Sequence, residues 1–101
     1  MLRKAETLGV QLRPHVKTHK CVEIAQMQLG AERGPITVST MAEARHFIDH
    51  GFSDILLAVP LPPVKVKEAV VAKLGVLVDS LEAIEAIEAV EKIDQGPVRV
   101  W

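Results

Sequence analysis

Residues 13–21 read RPHVKTHKC, and this stretch decides how the chain is interpreted because five of its first eight side chains are basic. If this part of the chain is extended, the two-residue period of a strand places Arg13, His15 and Lys17 on one face. Val16 then points to the opposite face, toward a packing layer. The stretch is therefore expected to form a strand with one cationic and one apolar face.

Lys17 is the candidate for chemistry within this stretch. Four other basic side chains surround it in the sequence, namely Arg13, His15, His19 and Lys20. Clustered positive charge disfavours protonation of a neighbouring amine, so the cluster is expected to favour the neutral, nucleophilic form that Schiff-base chemistry requires. The alternative is a solvated basic edge without chemistry, since charge runs commonly lie at protein surfaces.

Helical and extended patterns alternate along the whole chain. The predicted strands cover residues 10–16, 36–39, 54–59, 76–78 and 98–101. The predicted helices cover residues 2–8, 20–29 and 40–51, a segment that starts from a turn at residues 60–63 and runs through Lys73, and the amphipathic repeat from Leu81 to a break at Gly96 and Pro97. The sharpest helix signal is Thr40 with Glu43 three residues later, a capping box. Ser80 or Asp79 is expected to cap the last helix.

Strands separated by single helices predict an α/β fold with parallel strands and right-handed crossovers. The short repeat favours a partial (β/α) TIM-type barrel over an open sheet. A complete barrel needs about 250 residues, whereas this chain has 101. We therefore expect residues 1–101 to form a single, incomplete barrel domain, an N-terminal fragment of a longer protein. Uncovered sheet edges are expected to result.

The composition excludes several classes of protein. About half of the residues are apolar (49%), a quarter are charged (25%), and the net charge is −1, so no nucleic-acid partner is indicated. No apolar run approaches the ~20 residues that span a bilayer, and the polar start MLRKAET lacks a secretory signal. A cytoplasmic location is expected, with no membrane partner. The lone Cys21 is expected to be a reduced, partly buried thiol.

Four segments together resemble one enzyme family: RPHVKTHK, CVEIAQMQL, ITVSTMAEA and GFSDILLAVP. They are similar to the alanine racemase N-terminal domain-like barrel of fold-type III pyridoxal-phosphate enzymes, in the branch of D-threonine aldolase and D-serine dehydratase. The resemblance implies a homodimeric enzyme that acts on a small D-amino acid. It also implies a divalent metal and phosphate-binding loops, whose residues would lie in later parts of the family's chains, including a C-terminal β domain. No metal ligand is assigned in this chain.

The resemblance assigns roles to individual residues. Lys17 occupies the position of the cofactor lysine and is the expected catalytic residue. Three more residues are expected to contribute to cofactor binding, namely His15, Arg13 as a supporting charge, and Thr40, which is first a helix cap. His19 is a weaker candidate near the cofactor, and Lys20 is expected to be solvated. His46 and His50, one helical turn apart, are interpreted as a helix-terminal pair rather than as metal ligands.

Three functions from different classes remain open. The first is a pyridoxal-phosphate lyase acting on β-hydroxy D-amino acids, either aldolase-like or dehydratase-like. The second is a pyridoxal-phosphate-binding protein without turnover, and the third is a non-catalytic fragment. A racemase is a weaker option, because it would need a second acid or base on the opposite face of the cofactor and the chain contains no tyrosine. The chain alone is expected to turn over little or no substrate.

Overall fold

The computed structural model describes residues 1–94 and 97–101 as five helices and a three-stranded sheet. The helices are α1 (Leu2–Leu8), α2 (Val22–Leu29), α3 (Met41–Asp49), α4 (Pro63–Val71) and α5 (Leu81–Asp94). The strands are β1 (Ile36–Val38), β2 (Ile55–Pro60) and β3 (Gly75–Leu77). The expected break at Gly96 lies outside the described residues. None of the described helices is long and apolar enough to cross a membrane.

The three strands are parallel and lie in the order β1-β2-β3, with one helix in each connection. Two isolated parallel bridges extend the sheet, His15 with Thr37 on one side and Val76 with Val100 on the other. The described chain therefore contributes five parallel segments in sequence order, and the sheet does not close on itself. The predicted α/β fold with parallel strands of an unclosed (β/α) barrel is confirmed.

The predicted strand over residues 10–16 is wrong in extent, because only His15 pairs with β1. The Thr37 N–H donates to the carbonyl of Pro14 and the Val16 N–H donates to the carbonyl of Thr37, each at 2.9 Å. A further rung toward the amino end would require the N–H groups of Pro14 and Pro35. Neither proline has one, so the ladder stops there.

The predicted strand over residues 98–101 is likewise reduced to one bridge. The Val76 N–H donates to the carbonyl of Arg99, and the Trp101 N–H donates to the carbonyl of Val76, each at 2.9 Å. Val100 and Trp101 keep exposed side chains, with 47% and 61% of their surfaces accessible. The last segment thus lies beside β3, with Val98 packed against the core and its two terminal apolar side chains uncovered.

The core lies between the sheet and the helices that cover it. Val16 and the inward side chains of β1, β2 and β3 pack against apolar residues of the helices, including Ala25, Ala44, Phe47, Val66, Ala69 and Ile87. The local signals that end and begin helices are confirmed. Gly9 and Gly30 close α1 and α2 in the left-handed conformation, and the Ser80 hydroxyl caps α5 by accepting from the Ala83 N–H.

One carboxylate ties the first and last segments of the sheet to β2. Asp54 accepts hydrogen bonds from Arg13 at 2.8 Å and from Arg99 at 2.7 Å. The guanidinium of Arg13 also donates to the carbonyls of Ile36 and Asp54. Burial raises the pKa of the Asp54 carboxyl, but the hydrogen bonds and charges of the two arginines together hold that pKa below its ordinary value of 3.8.

We expect Asp54→Asn to lower the free energy of unfolding by about 1 kcal/mol at neutral pH, a small value because the ion pairs are partly exposed. Since the folded-state pKa of Asp54 is depressed, its contribution is fully present above pH 3.8 and is lost as the pH falls through the folded-state pKa. Urea unfolding of both proteins should therefore show a difference that shrinks in acid. A difference independent of pH would contradict this account, and Asp79→Asn serves as the exposed control.

Candidate active site

Lys17 lies where the first parallel segment ends, at the carboxyl side of the sheet. Val16 anchors this point because it is fully buried in the core, while the Lys20 N–H donates to the Val16 carbonyl at 2.8 Å and closes a tight turn. Lys17 is exposed within that turn. Val16 lies in the core, as predicted for the apolar face of this segment, and Lys17 lies on the opposite, exposed side. The carboxyl ends of parallel strands are where barrels place their active sites.

His15 connects the Lys17 turn to the end of β1. Its Nδ1 accepts the backbone N–H of Lys17, and its Nε2 lies 3.3 Å from the hydroxyl of Ser39. An accepting Nδ1 assigns the proton of the neutral ring to Nε2, which donates to Ser39. Burial lowers the pKa of His15 from 6.5 and the charge of Lys17 lowers it further, whereas Glu43 opposes both. His15 is thus arranged as a neutral group beside Lys17.

An imidazole titration by NMR is expected to place the His15 midpoint below 6.5. Lys17→Met should raise that midpoint, because a nearby positive charge is removed, but should leave it below 6.5 because burial is the larger cause. Lys92→Met, on the distant helix α5, is the control and should have no effect. A His15 midpoint at or above 6.5 in the unaltered chain would contradict the burial of His15. A midpoint that does not change in Lys17→Met would contradict its place beside the Lys17 charge.

Glu43 is a functional candidate that the sequence indicated only as part of a helix cap. The capping box is confirmed: the Thr40 hydroxyl accepts the Glu43 N–H at 3.1 Å, and the Glu43 carboxylate accepts the Thr40 N–H. The same carboxylate accepts the Ser39 N–H at 2.7 Å and lies 3.6 Å from the Lys20 ammonium. Its side chain is only 6% exposed. A buried carboxylate therefore lies beside the Lys17 turn.

The basic side chains of the first motif are not gathered around the Lys17 amine. Arg13 points to the amino ends of β1 and β2, where it binds Asp54. His19 faces α2, since its Nδ1 accepts the Cys21 N–H and its Nε2 lies 3.0 Å from the side-chain oxygen of Gln28. Only His15 of the three proposed cofactor contacts lies in the hydrogen-bonded surroundings of Lys17, and the roles of Arg13 and Thr40 toward a cofactor stay predictions.

The remaining candidates lie outside the Lys17 turn. His46 and His50 are at the end of α3, as expected for a helix-terminal pair, with ring centroids 4.7 Å apart. His50 Nδ1 lies 2.7 Å from the carbonyl of His46. Cys21 is a free, partly buried thiol that donates to Glu23. Among residues 1–94 and 97–101, no group of three or more histidine, cysteine and carboxylate side chains is arranged to hold a metal ion.

Comparison with known proteins matches the chain to one family. The family model described as alanine racemase, N-terminal domain, matches residues 1–101. A D-serine dehydratase from Dictyostelium discoideum is 42% identical over 93 residues, which cover 81% of this chain and 23% of that protein. A D-threonine aldolase from Arthrobacter sp. is 38% identical over 81 residues, covering 75% of this chain and 21% of the aldolase.

The fold matches a solved structure of the same group. D-threo-3-hydroxyaspartate dehydratase from Delftia sp. HT23 superposes with a TM-score of 0.84 and 39% sequence identity, over 98% of this chain and 27% of the dehydratase. The chain therefore spans about a quarter of the length of the relatives that it matches. The family match over residues 1–101 includes Lys17, His15 and Glu43.

Proposed function

Because this chain belongs to the alanine racemase N-terminal domain family, we propose that it derives from pyridoxal-phosphate-dependent lyases that act on β-hydroxy D-amino acids. The similar proteins reported above are two dehydratases and one aldolase, each of which acts on a D-amino acid. The activity is proposed for the complete proteins of this lineage, since the chain spans about a quarter of such relatives. Lys17 is the proposed catalytic residue.

The observation that carries this proposal is the placement of the Lys17 amine. Its backbone is fixed by buried Val16 and by the hydrogen bond to His15, while its side chain is exposed at the carboxyl side of the sheet. Within residues 1–94 and 97–101, the Lys17 ammonium has no carboxylate partner, unlike Lys20 and Lys65. The site therefore fits a cofactor that binds covalently to a lysine amine and must be reached from solvent.

Bound pyridoxal phosphate would supply an electron sink for the negative charge that develops when a bond to the substrate Cα breaks. Lys17 would hold the cofactor through its amine, and the same amine, when not bonded to the cofactor, would be the proton carrier of the site. The neutral ring of His15 would keep the Lys17 backbone in place. The amino end of α3 is already occupied by the Glu43 carboxylate, so we do not assign it to the cofactor phosphate.

Two bond cleavages fit this lineage. A dehydratase removes the α-proton and expels the β-hydroxyl, whereas an aldolase deprotonates the hydroxyl and breaks Cα–Cβ to give glycine and an aldehyde. The resemblance implies a divalent metal that would act as a Lewis acid in both reactions, and we place none of its ligands among the residues described. A single domain over residues 1–101, a homodimeric complete enzyme and a cytoplasmic location stay predictions.

The test is covalent capture of pyridoxal phosphate by the purified chain. Borohydride reduces the carbon–nitrogen bond between a lysine amine and the pyridoxal aldehyde to a stable secondary amine, and peptide mapping then locates it. Label concentrated on Lys17 would support the proposal, whereas label spread over all lysines would contradict it. Assays with D-serine and D-threonine accompany the mapping. Capture without turnover is the result expected for these 101 residues alone, whereas normal turnover by this chain would contradict that expectation.

A further inference from the structure

Glu43 contacts both sides of the Lys17 turn while remaining in the interior. On one side its carboxylate accepts the Ser39 N–H, and Ser39 carries the hydroxyl that meets His15. On the other side the same carboxylate lies 3.6 Å from the ammonium of Lys20. His15, which precedes the turn, is thus coupled to Glu43 through Ser39, and Lys20, which ends the turn, is paired with Glu43 directly.

These contacts also explain why the chain turns at Lys17 instead of continuing along β1. After the rung at His15 and Thr37, the next rung would require the Ser39 N–H to donate to the Val16 carbonyl. The Ser39 N–H donates to Glu43 instead, and the Val16 carbonyl accepts the Lys20 N–H. Glu43 therefore removes the donor that would have kept this segment in the sheet.

Lys20 closes the turn in a conformation that side chains rarely adopt. Its φ is +52°, in the left-handed region that favours glycine. Its side chain is 63% exposed, and the carboxylate it approaches is 6% exposed. The Lys20 ammonium thus adds a charge partner to a buried carboxylate that already accepts the N–H groups of Ser39 and Thr40.

We propose that Glu43 is a positioning residue for Lys17, holding the Val16–Lys20 turn closed through Lys20 and through Ser39 and His15. This inference rests on the proposed function of Lys17 and adds a residue that positions its amine. It assigns Glu43 a task beyond capping α3. A neutral residue able to accept the same hydrogen bonds would preserve the cap but would release the turn.

The test compares three variants of the full 101-residue chain. Glu43→Gln keeps an acceptor for the Ser39 N–H but removes the charge, and Lys20→Met removes the same ion pair from the other side without changing the left-handed residue to glycine. Glu68→Gln is the matched control, because Glu68 pairs with Arg45 and Lys65 away from the turn. Binding of pyridoxal phosphate is followed by absorbance, and amide exchange of Lys20 reports on the turn.

We expect both turn variants to bind pyridoxal phosphate about tenfold more weakly, because the amine is no longer held in one position. The Lys20 amide should exchange about tenfold faster in both, and Glu68→Gln should change neither quantity. Glu43→Gln should also lower the His15 midpoint in an NMR titration, because the Glu43 charge raises the pKa of His15. A residue that only capped a helix would leave pyridoxal phosphate binding and the Lys20 amide unchanged, whereas the lower His15 midpoint follows from the lost charge alone and checks that the charge has been removed.

The outcomes separate this inference from the proposed function. If both turn variants bind pyridoxal phosphate normally and their Lys20 amides exchange at the unaltered rate, the positioning role of Glu43 is wrong. The proposed function of Lys17 would not be affected by that result. If the unaltered chain captures no pyridoxal phosphate on Lys17, the proposed function fails, and faster Lys20 exchange in both variants would still support the positioning contacts. Should Glu43→Gln not fold, Lys20→Met decides the question, since unchanged exchange and binding there would overturn the inference.

Discussion

Lys17→Met is expected to abolish covalent capture of pyridoxal phosphate, whereas Lys67→Met is expected to leave it unchanged. The chain contains seven lysines, and the Lys17 amine is distinguished by its place at the carboxyl side of the sheet and by its neutral neighbour His15. Lys67 is exposed on the outer helix α4. Reduction with borohydride followed by peptide mapping measures the yield at each lysine.

Lys17→Arg distinguishes covalent capture from simple attraction of the phosphate. Arginine retains the positive charge but stays protonated and provides no nucleophilic amine. We therefore expect this variant to yield no reduced product at position 17, while its unfolding free energy stays within about 0.5 kcal/mol, as for most exposed substitutions. Wild-type yield of reduced product in either Lys17 variant would mean that another lysine captures the cofactor, and the proposed role of Lys17 would be wrong.

The features that the sequence predicted well are those fixed by neighbouring residues. Thr40 and Glu43 are three residues apart and form the expected capping box, because a first helical turn brings these two positions together wherever the helix lies. Gly9 and Gly30 end their helices for an equally local reason, since both adopt the left-handed conformation at positive φ. The alternation of these elements was enough to predict parallel strands.

The errors arise where distant residues decide the structure. The first strand is shorter than predicted because Pro14 and Pro35 both lack the N–H groups that the next rung requires, and Pro35 lies on the partner strand, outside the predicted segment. The two-residue period places Arg13 on the same face as Lys17, whereas its guanidinium binds Asp54, which is 41 residues away. A two-residue period predicts the face on which a side chain lies and says nothing of which partner it meets there.

Glu43 is a site residue whose role the sequence predicts only in part. Its capping position was predicted, but its burial depends on how the end of β1 and the Lys20 turn fold over it. The available signal was that Glu43 follows the carboxyl end of a predicted strand, where barrels build their sites. Clustering of basic residues in the sequence was the weaker guide, because Arg13 and His19 turn to different partners.

Phe47→Ala is expected to lower the free energy of unfolding by about 3–5 kcal/mol, the usual cost of removing a buried aromatic ring. Phe47 is fully buried, and its ring packs edge to face against Phe52 with centroids 5.2 Å apart. Domains of this size are commonly stable by only about 5–15 kcal/mol. The variant should therefore unfold at much lower urea concentration than the unaltered chain.

Val64→Ala is the matched control, because 86% of the Val64 surface is exposed and its loss should cost less than about 0.5 kcal/mol. Phe47→Leu, which retains much of the buried volume, should be less destabilising than Phe47→Ala.

Phe47 lies one helical turn beyond Glu43, so loosening α3 is expected to displace the carboxylate that contacts the Lys17 turn. Pyridoxal phosphate capture should then fall together with stability in Phe47→Ala, and equal costs for Phe47→Ala and Val64→Ala would contradict the packing of α3 against the sheet.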